Sequence, residues 1–465
     1  MLEHLERQKS LTANQYKICA AATIGDMLDF FDFYLIGFVL AFIVGGWHLT
    51  YGQSGAILLS SGIGAPLGSI FWGWVADKIG RRKVMILTVL NFSIATGAMA
   101  FTPNGGWLFL SICRFFVGMG VTGLYTVDIA IVQEFVPAYR RGWITGLTTS
   151  LLPAGTILGA LSGAFLEQSV GWRGLFVVGL LPAALTLLIR AWVPESPHWL
   201  IGKGRLAEAR KSLAWALQVD PATIQLPSAP VATESVAWRE LFNYPRSLIV
   251  SCLTGISQTG TVGLSLWITT LLVLVLKISP RDASYLVIWI GAISILGRFF
   301  CAWMSDAFGR RPAVVISCLI ATVTMSLAGY LNSTYLGGVS VFYAMILAQS
   351  FFGSGNYAIV GPYMAEVWPA KLRASGMGIG YGFGNLGKFI GPAGLAVIAG
   401  SSNFVTPKAT LDALVPAMNY FGLWYLVAAA AIWFIGIETR GRTIQQIDES
   451  LSTPQSELAP EAASR

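Results

Sequence analysis

Two decapeptides that read almost alike, at positions 73 and 302 and so 229 residues apart, constrain this chain more than any other feature. Gly73-Trp-Val-Ala-Asp77-Lys-Ile-Gly80-Arg81-Arg82 and Ala302-Trp-Met-Ser-Asp306-Ala-Phe-Gly309-Arg310-Arg311 each break a long apolar run with an acid, a glycine and an arginine pair. A second pair follows in the same order. Glu134-Phe-Val-Pro137-Ala-Tyr-Arg140-Arg141 matches Glu366-Val-Trp-Pro369-Ala-Lys-Leu-Arg373 as E-x-x-P-A-x-x-R. Just before it, Gly123-Leu-Tyr125 faces Gly355-Asn-Tyr357. Three matches in one order imply an internal duplication. Duplicated halves in a membrane chain are the architecture of secondary transporters.

Composition places the chain in a membrane: 55% of residues are apolar and 11% charged, where a soluble domain carries about 25% charged residues. Apolar stretches long enough to cross, about 20 residues each, fall near 18–47, 54–76, 83–103, 107–134, 142–168 and 172–193. Six more fall near 246–276, 283–306, 312–332, 338–366, 374–402 and 415–436. The expected fold is therefore all-α and integral to the membrane, with twelve transmembrane helices in two six-helix halves. Residues 1–193 form one half, 194–245 a linker, 246–436 the other half and 437–465 a tail. In the linker, Leu206, Leu213 and Leu217 make an apolar stripe expected to lie on the inner surface. With both termini inside, the inner loops collect most of the Lys and Arg. The outer loops hold only Arg173, Lys277, Arg281 and Lys408. The positive-inside rule then puts both termini in the cytoplasm of a cell-membrane protein, so the net charge of +7 is topology rather than a nucleic-acid signal. The five cysteines sit in apolar runs without metal or disulfide spacing and read as buried small hydrophobes.

These residues resemble the major facilitator superfamily. The decapeptides are similar to its G-x-x-x-D-[KR]-x-G-R-R motif, with Ala302 replacing the glycine in the second copy. Arg114-Phe-Phe-Val-Gly118 resembles the fourth-helix R-x-x-x-G motif. Pro194-Glu195-Ser196-Pro197-His198-Trp199-Leu200 resembles P-E-S-P-R-W-L of the sugar-porter-like branch. Glu438-Thr439-Arg440-Gly441-Arg442 resembles its P-E-T-[KR]-G-R. Asp29-Phe-Phe-Asp32 resembles the D-G-F-D of the aromatic-acid:proton symporter branch, with Phe30 in place of glycine. The fifth helix lacks the G-P-x-x-G-G run associated with antiporters, which favours uptake.

The loop motifs suggest a gate. Asp77 and Asp306 lie at inner helix ends, Gly73 is expected to admit a neighbouring helix closely, and Glu134 and Glu366 can reach the arginine pairs. Asp77, Arg81, Arg82, Glu134, Arg141, Asp306, Arg310, Arg311, Glu366 and Arg373 are thus candidates for a latch that holds the inner face shut in one state. The alternative is positive-inside topology with turn chemistry.

Ionisable residues at the bilayer midplane are costly and so are functional candidates. Asp26, Asp29 and Asp32, spaced i, i+3, i+6, share one face of the first helix. Two close carboxylates in low dielectric cannot both be charged cheaply, which suits proton carriage. The cations are Arg114 in the outer third of the fourth helix, Arg298, and Lys388 near the centre of the eleventh. Lys388 assisted by Arg298 is expected to hold a substrate anion, with Asp32 neutralising Lys388 when the site is empty. Phe30, Phe33, Tyr34, Tyr125, Gln258, Trp267, Gln349, Asn356, Tyr357, Tyr381 and Asn385 are expected to shape the pocket.

The sequence shows neither a phosphate loop nor a nucleophile–base pair, so an enzyme is not expected. The reading is a proton-coupled importer of a small organic anion, an aromatic or other carboxylate, working by alternating access. A transporter of a neutral solute such as a sugar or polyol stays open, as does a transporter-like sensor. The expected partners are a small-molecule substrate, protons and the lipid bilayer, with no cofactor and no nucleic acid. The protein is expected to work as a monomer.

Overall fold

A computed structural model describes residue 8 and residues 10–224, 226, 238–369 and 372–440. Helices α1 (Ala13–Gly46), α2 (Tyr51–Ile79), α3 (Arg81–Met99) and α4 (Trp107–Phe135) are the first four spans. The fifth runs through α5 (Ala138–Leu151), α6 (Pro153–Leu161) and a π-helical turn at Ser162–Leu166. It enters α7 (Glu167–Val178), which Gly171 breaks at φ 66°; the rest of α7 and α8 (Leu185–Trp192) make the sixth. Short helices α9 (Pro197–Gly202) and α10 (Leu206–Leu217) follow. In the second half, α11 (Pro245–Ile256) and α12 (Gln258–Leu276) form the seventh span. Next come α13 (Pro280–Phe308) and α14 (Arg310–Tyr330). The tenth is α15 (Val341–Gln349), a π-turn at Ser350–Ser354 and α16 (Tyr357–Glu366). Then α17 (Arg373–Ile398) and α18 (Pro407–Phe434) complete the set. The only strands among the described residues are β1 (Tyr335–Leu336) and β2 (Val339–Ser340), a small hairpin.

Among the described residues, eight segments are long and apolar enough to cross a membrane on length and composition alone. The other four spans are α3, with its three leading cations, the broken sixth and tenth, and the glycine-rich α17. Several helices start earlier than the apolar runs suggest. In α1, Thr12 and Gln15 satisfy each other's main-chain N–H groups in a capping box, which lets the helix begin in polar sequence. The Thr406 hydroxyl accepts from the Ala409 N–H and starts α18 at Pro407 rather than near 415.

Large apolar side chains face outward as well as inward: Ile70, Trp289 and Phe434 are exposed. In lipid there is no penalty for this, and packing rather than hydrophobicity drives helix association. Glycines set the close crossings. A methyl at Gly118 of α4 would overlap the Ser61 carbonyl of α2, and Gly64 and Gly68 of α2 meet the Phe115 and Met119 carbonyls in return. Gly73 does not do this: a Cβ there would have nothing within 4 Å. The close helix crossing expected at the decapeptide glycine lies one to two turns earlier, where α2 runs against α4.

The halves meet along α1 with α12, α2 with α17 and α6 with α13. The even number of spans puts the start of α1 and the end of α18 on one face, called here the near face. On the far face the halves are joined by main-chain hydrogen bonds. Tyr51 N–H donates to the Asn403 carbonyl at 2.9 Å, Gly52 N–H to Ser401 at 2.9 Å, and Val405 N–H to Leu49 at 3.0 Å. These bonds frame an antiparallel bridge between Thr50 and Phe404. Arg281 Nε adds a bond to the Ala164 carbonyl at 3.0 Å. The far mouth is closed in this state. The linker helix α10 lies against α1 on the near side, with Asn14 Nδ2 donating to the Trp215 carbonyl at 2.7 Å. Its Leu213 and Leu217 are buried with Ile224, and Leu206 packs on the neighbouring Leu200, Ile201 and Ala209 cluster.

Candidate functional site

Asp26, Asp29 and Asp32 are 2%, 3% and 0% exposed, so the acids of α1 all point into the helix bundle. Residues three apart on a helix are turned by about 60° and raised about 4.5 Å, and here each acid consequently has a different neighbour. Asp32 faces α3 and α4. Its Oδ2 accepts from Thr96 Oγ1 at 2.7 Å, and the fully buried Arg114 lies beside it. The Arg114 guanidinium donates to the main-chain carbonyls of Asp32 (3.3 Å) and Phe33 (2.9 Å) and to Ser61 Oγ (3.0 Å). It therefore clamps the middle of α1 against α2.

Asp29 is the electrostatic partner of Lys388, whose Nζ sits 5.2 Å from the Phe33 ring. The expected Asp32–Lys388 pair is thus corrected: helix rotation turns Asp32 toward α3 and α4, and Asp29 toward α17. Asp26 meets Asp128 of α4, within hydrogen-bonding reach. Asp128 is a buried acid that was not among the candidates read from the sequence.

Arg298 differs from the other two midplane cations, the buried Arg114 and the half-buried Lys388. It is 4% exposed, donates to the Thr149 carbonyl of α5 across the interface between halves, and makes no salt bridge to an acid among the described residues. Its Nε has no hydrogen-bond partner. Tyrosines surround it. Its guanidinium carbon is 5.4 Å from the Tyr357 ring centre, and Tyr34 and Tyr125 are its other electrostatic neighbours. Tyr125 packs edge-on to Tyr381 of the opposite half, with ring centres 6.4 Å apart. Tyr34 is flanked by Phe30 and Phe33 at 5.6 and 5.0 Å.

Gln258, Asn356 and Tyr357 line a small cavity with Ser257, Thr261 and Tyr425. Tyr425 and Thr261 were not anticipated. Tyr425 accepts from Gln349 Nε2 at 2.8 Å and bonds Thr261. Asn356 Nδ2 is committed to Cys318 Sγ at 3.2 Å, while its Oδ1 is buried without a partner. Asn385 lies one turn before Lys388 on α17, half-buried. Trp267 is fully buried, on Tyr51 and near the far-face seal, with ring centres 5.9 Å apart. It is therefore away from this cavity.

The gate candidates form two matching clusters on the near face. Gly80 and Gly309 turn the chain at φ 105° and 104°, a region open to glycine. Glu195 then accepts from the N–H groups of Arg81 (2.8 Å) and Arg82 (3.0 Å). Glu438 accepts from Arg310 and Arg311, both at 3.0 Å. Arg81 pairs with Glu134 and Arg310 with Asp306 and Glu366; Ser196 and Thr439 bond those same glutamates. Arg311 reaches the Ile432 carbonyl, and Arg373 that of Ala365. Every one of these contacts joins helices of the same half. Asp77 is exposed, and its carbonyl accepts from Trp199 Nε1 at 3.0 Å. The Arg141 side chain lies outside the described residues. Glu195 and Glu438, the cap acceptors, were quoted only as parts of motifs. Their recurrence just after the last span of each half was the signal.

Two helical halves around a buried charged midplane, closed at one mouth, define a multi-pass membrane transporter. The chain belongs to the sugar (and other) transporter family, whose model matches residues 18–451, and it has the twelve-helix major facilitator fold. It is 30% identical to the niacin transporter of Acinetobacter baylyi, covering 93% of this chain and 96% of that one. Identity to the cis,cis-muconate transport protein of the same organism is 23%, over 88% and 90% of the two chains. Among solved structures it resembles the inward-open xylose transporter of E. coli with a TM-score of 0.72 and 20% identity, covering 94% and 99%. That likeness bears on the fold alone.

Proposed function

We propose that the protein imports a small organic carboxylate together with protons by alternating access, and that the carboxylate docks on Arg298. The observation that carries this is a buried guanidinium at the interface of the halves with no acid paired to it. An uncompensated buried charge is costly, and an anionic substrate removes the cost. The niacin and muconate named for two relatives are carboxylates that fit a ring of tyrosines around one cation. The exchange of partners expected for Asp32 falls to Asp29: when Asp29 takes a proton, Lys388 is released to assist Arg298. Asp32 beside Arg114 is a second proton carrier, and Asp26 with Asp128 stands on the near side of both. The near-face clusters act as gates by holding each half rigid as it rocks.

In this reading the near face is cytoplasmic, the membrane is the cell's inner one, and the chain divides at 193/194, 245/246 and 436/437. A neutral solute is the second reading. It is favoured by the uncharged amides and hydroxyls of the cavity at Gln258, Thr261, Asn356 and Tyr425.

The test is uptake of labelled niacin and cis,cis-muconate into proteoliposomes. Uptake should rise as the external pH falls and collapse with a protonophore. Arg298→Gln should weaken carboxylate binding by about 1.5–3 kcal/mol, as for a hydrogen bond to a charged group, and that of nicotinamide far less. Uptake indifferent to the protonophore refutes the coupling. Equal loss for the acid and the amide moves the anion site elsewhere.

A further inference from the structure

The Thr96 hydroxyl has one hydrogen to donate. Threonines inside helices commonly donate it to a carbonyl one turn back, as Thr88 of the same helix does to Val84. Thr96 instead donates to Asp32 Oδ2 at 2.7 Å. Both residues are 0% exposed. Arg114, the cation beside it, sends its hydrogen bonds to main-chain carbonyls and Ser61 rather than to the carboxylate. Asp32 Oδ1 has no hydrogen-bond partner. Thr96 thus supplies the only side-chain hydrogen bond that the Asp32 carboxylate receives among the described residues.

A second feature holds the hydroxyl in place. Gly179 of the sixth span lies against the Thr96 methyl, and a Cβ there would overlap it and come 3.4 Å from Asp32 Oδ1. The methyl side is backed by that glycine, and the hydroxyl is left facing the acid.

We propose that Thr96 is a positioning residue that sets how readily Asp32 exchanges its proton. A hydroxyl donates more strongly to a charged carboxylate than to the carbonyl oxygen of a protonated one, so a donor aimed at Asp32 favours its charged form. Other charged groups facing Asp32 are Arg114 from α4 and Asp29 from its own helix. Lys388 on α17 is engaged with Asp29, and the sixth span presents the uncharged Gly179. The inference rests on the proton-coupled reading above, because a proton on Asp32 matters to transport only if protons are carried.

The test reads Asp32 directly and needs no substrate. The protonated-carboxyl infrared band of the protein in lipid is titrated, with Asp32→Asn identifying the Asp32 component. Thr96→Val should move its midpoint to higher pH by about one to two units, the equivalent of a hydrogen bond to a charged group. Thr96→Ser should restore the wild-type midpoint. Gly179→Ala, which keeps the hydroxyl but crowds it, should shift the midpoint the same way and serves if Thr96→Val does not fold. An unchanged midpoint in Thr96→Val or, in its place, Gly179→Ala overturns the inference. A shifted midpoint in a protein whose uptake ignores a protonophore leaves it standing and overturns the coupling instead.

Discussion

Lys388 and Arg298 are both central cations, but Lys388 has Asp29 beside it and Arg298 has tyrosines. The difference predicts opposite behaviour on neutralisation. Lys388→Ala strands a buried acid and should lower stability by roughly 3 kcal/mol, the cost of breaking a buried pair. Adding Asp29→Asn should recover most of it, as read by thermal unfolding in detergent; a double variant no more stable than the single one argues against the pair. Arg298→Gln should cost little stability while losing carboxylate binding. Asp128, set against Asp26, should behave as part of the proton route. Asp128→Asn is expected to slow gradient-driven uptake several-fold while leaving substrate exchange near wild type, and equal losses in both assays would speak against it. The acids were legible because charged residues inside apolar runs stand out. Their partners were not, because which helix lies beside which is absent from the spacing, and a rotation of about 60° per three residues sends Asp29 and Asp32 to different neighbours.

At the level of elements, the repeated turn is the clearest device. Gly80 and Gly309 both sit near φ +105°, and a side chain at either would strike the glutamate that caps the following helix. Gly80→Ala should therefore cost more than the usual left-handed strain of about 1 kcal/mol. Glu195→Ala should cost about 0.5–2 kcal/mol through the lost cap of α3. Thermal unfolding reads both, and a near-neutral Gly80→Ala would show that the turn relaxes. The number of spans was readable from apolar run length. The breaks at Gly171 and at the two π-turns were not, since an interrupted span and an intact one have the same hydropathy. Gly73 shows the converse: its motif was plain, while the contact expected of it is made by Gly64, Gly68 and Gly118.

For the molecule as a whole, the far-face bridge is what must open for substrate to enter from that side. A Thr50→Cys, Phe404→Cys pair should oxidise readily, because directly paired strand residues lie about 4.5–5.5 Å apart. The crosslink should stop transport nearly completely, with recovery on reduction. Transport that continues with the crosslink formed would mean that the bridge does not open.

The seal at Leu49–Gly52 and Ser401–Val405 is made by N–H and carbonyl groups that every residue except proline carries in full. Apart from Gly52, where a Cβ would come 2.8 Å from the Ser401 carbonyl, its closing strength consequently depends little on which side chains stand there. With that glycine kept, the two mouth loops can drift in sequence, and so change what they admit, without the transporter forgetting how to shut.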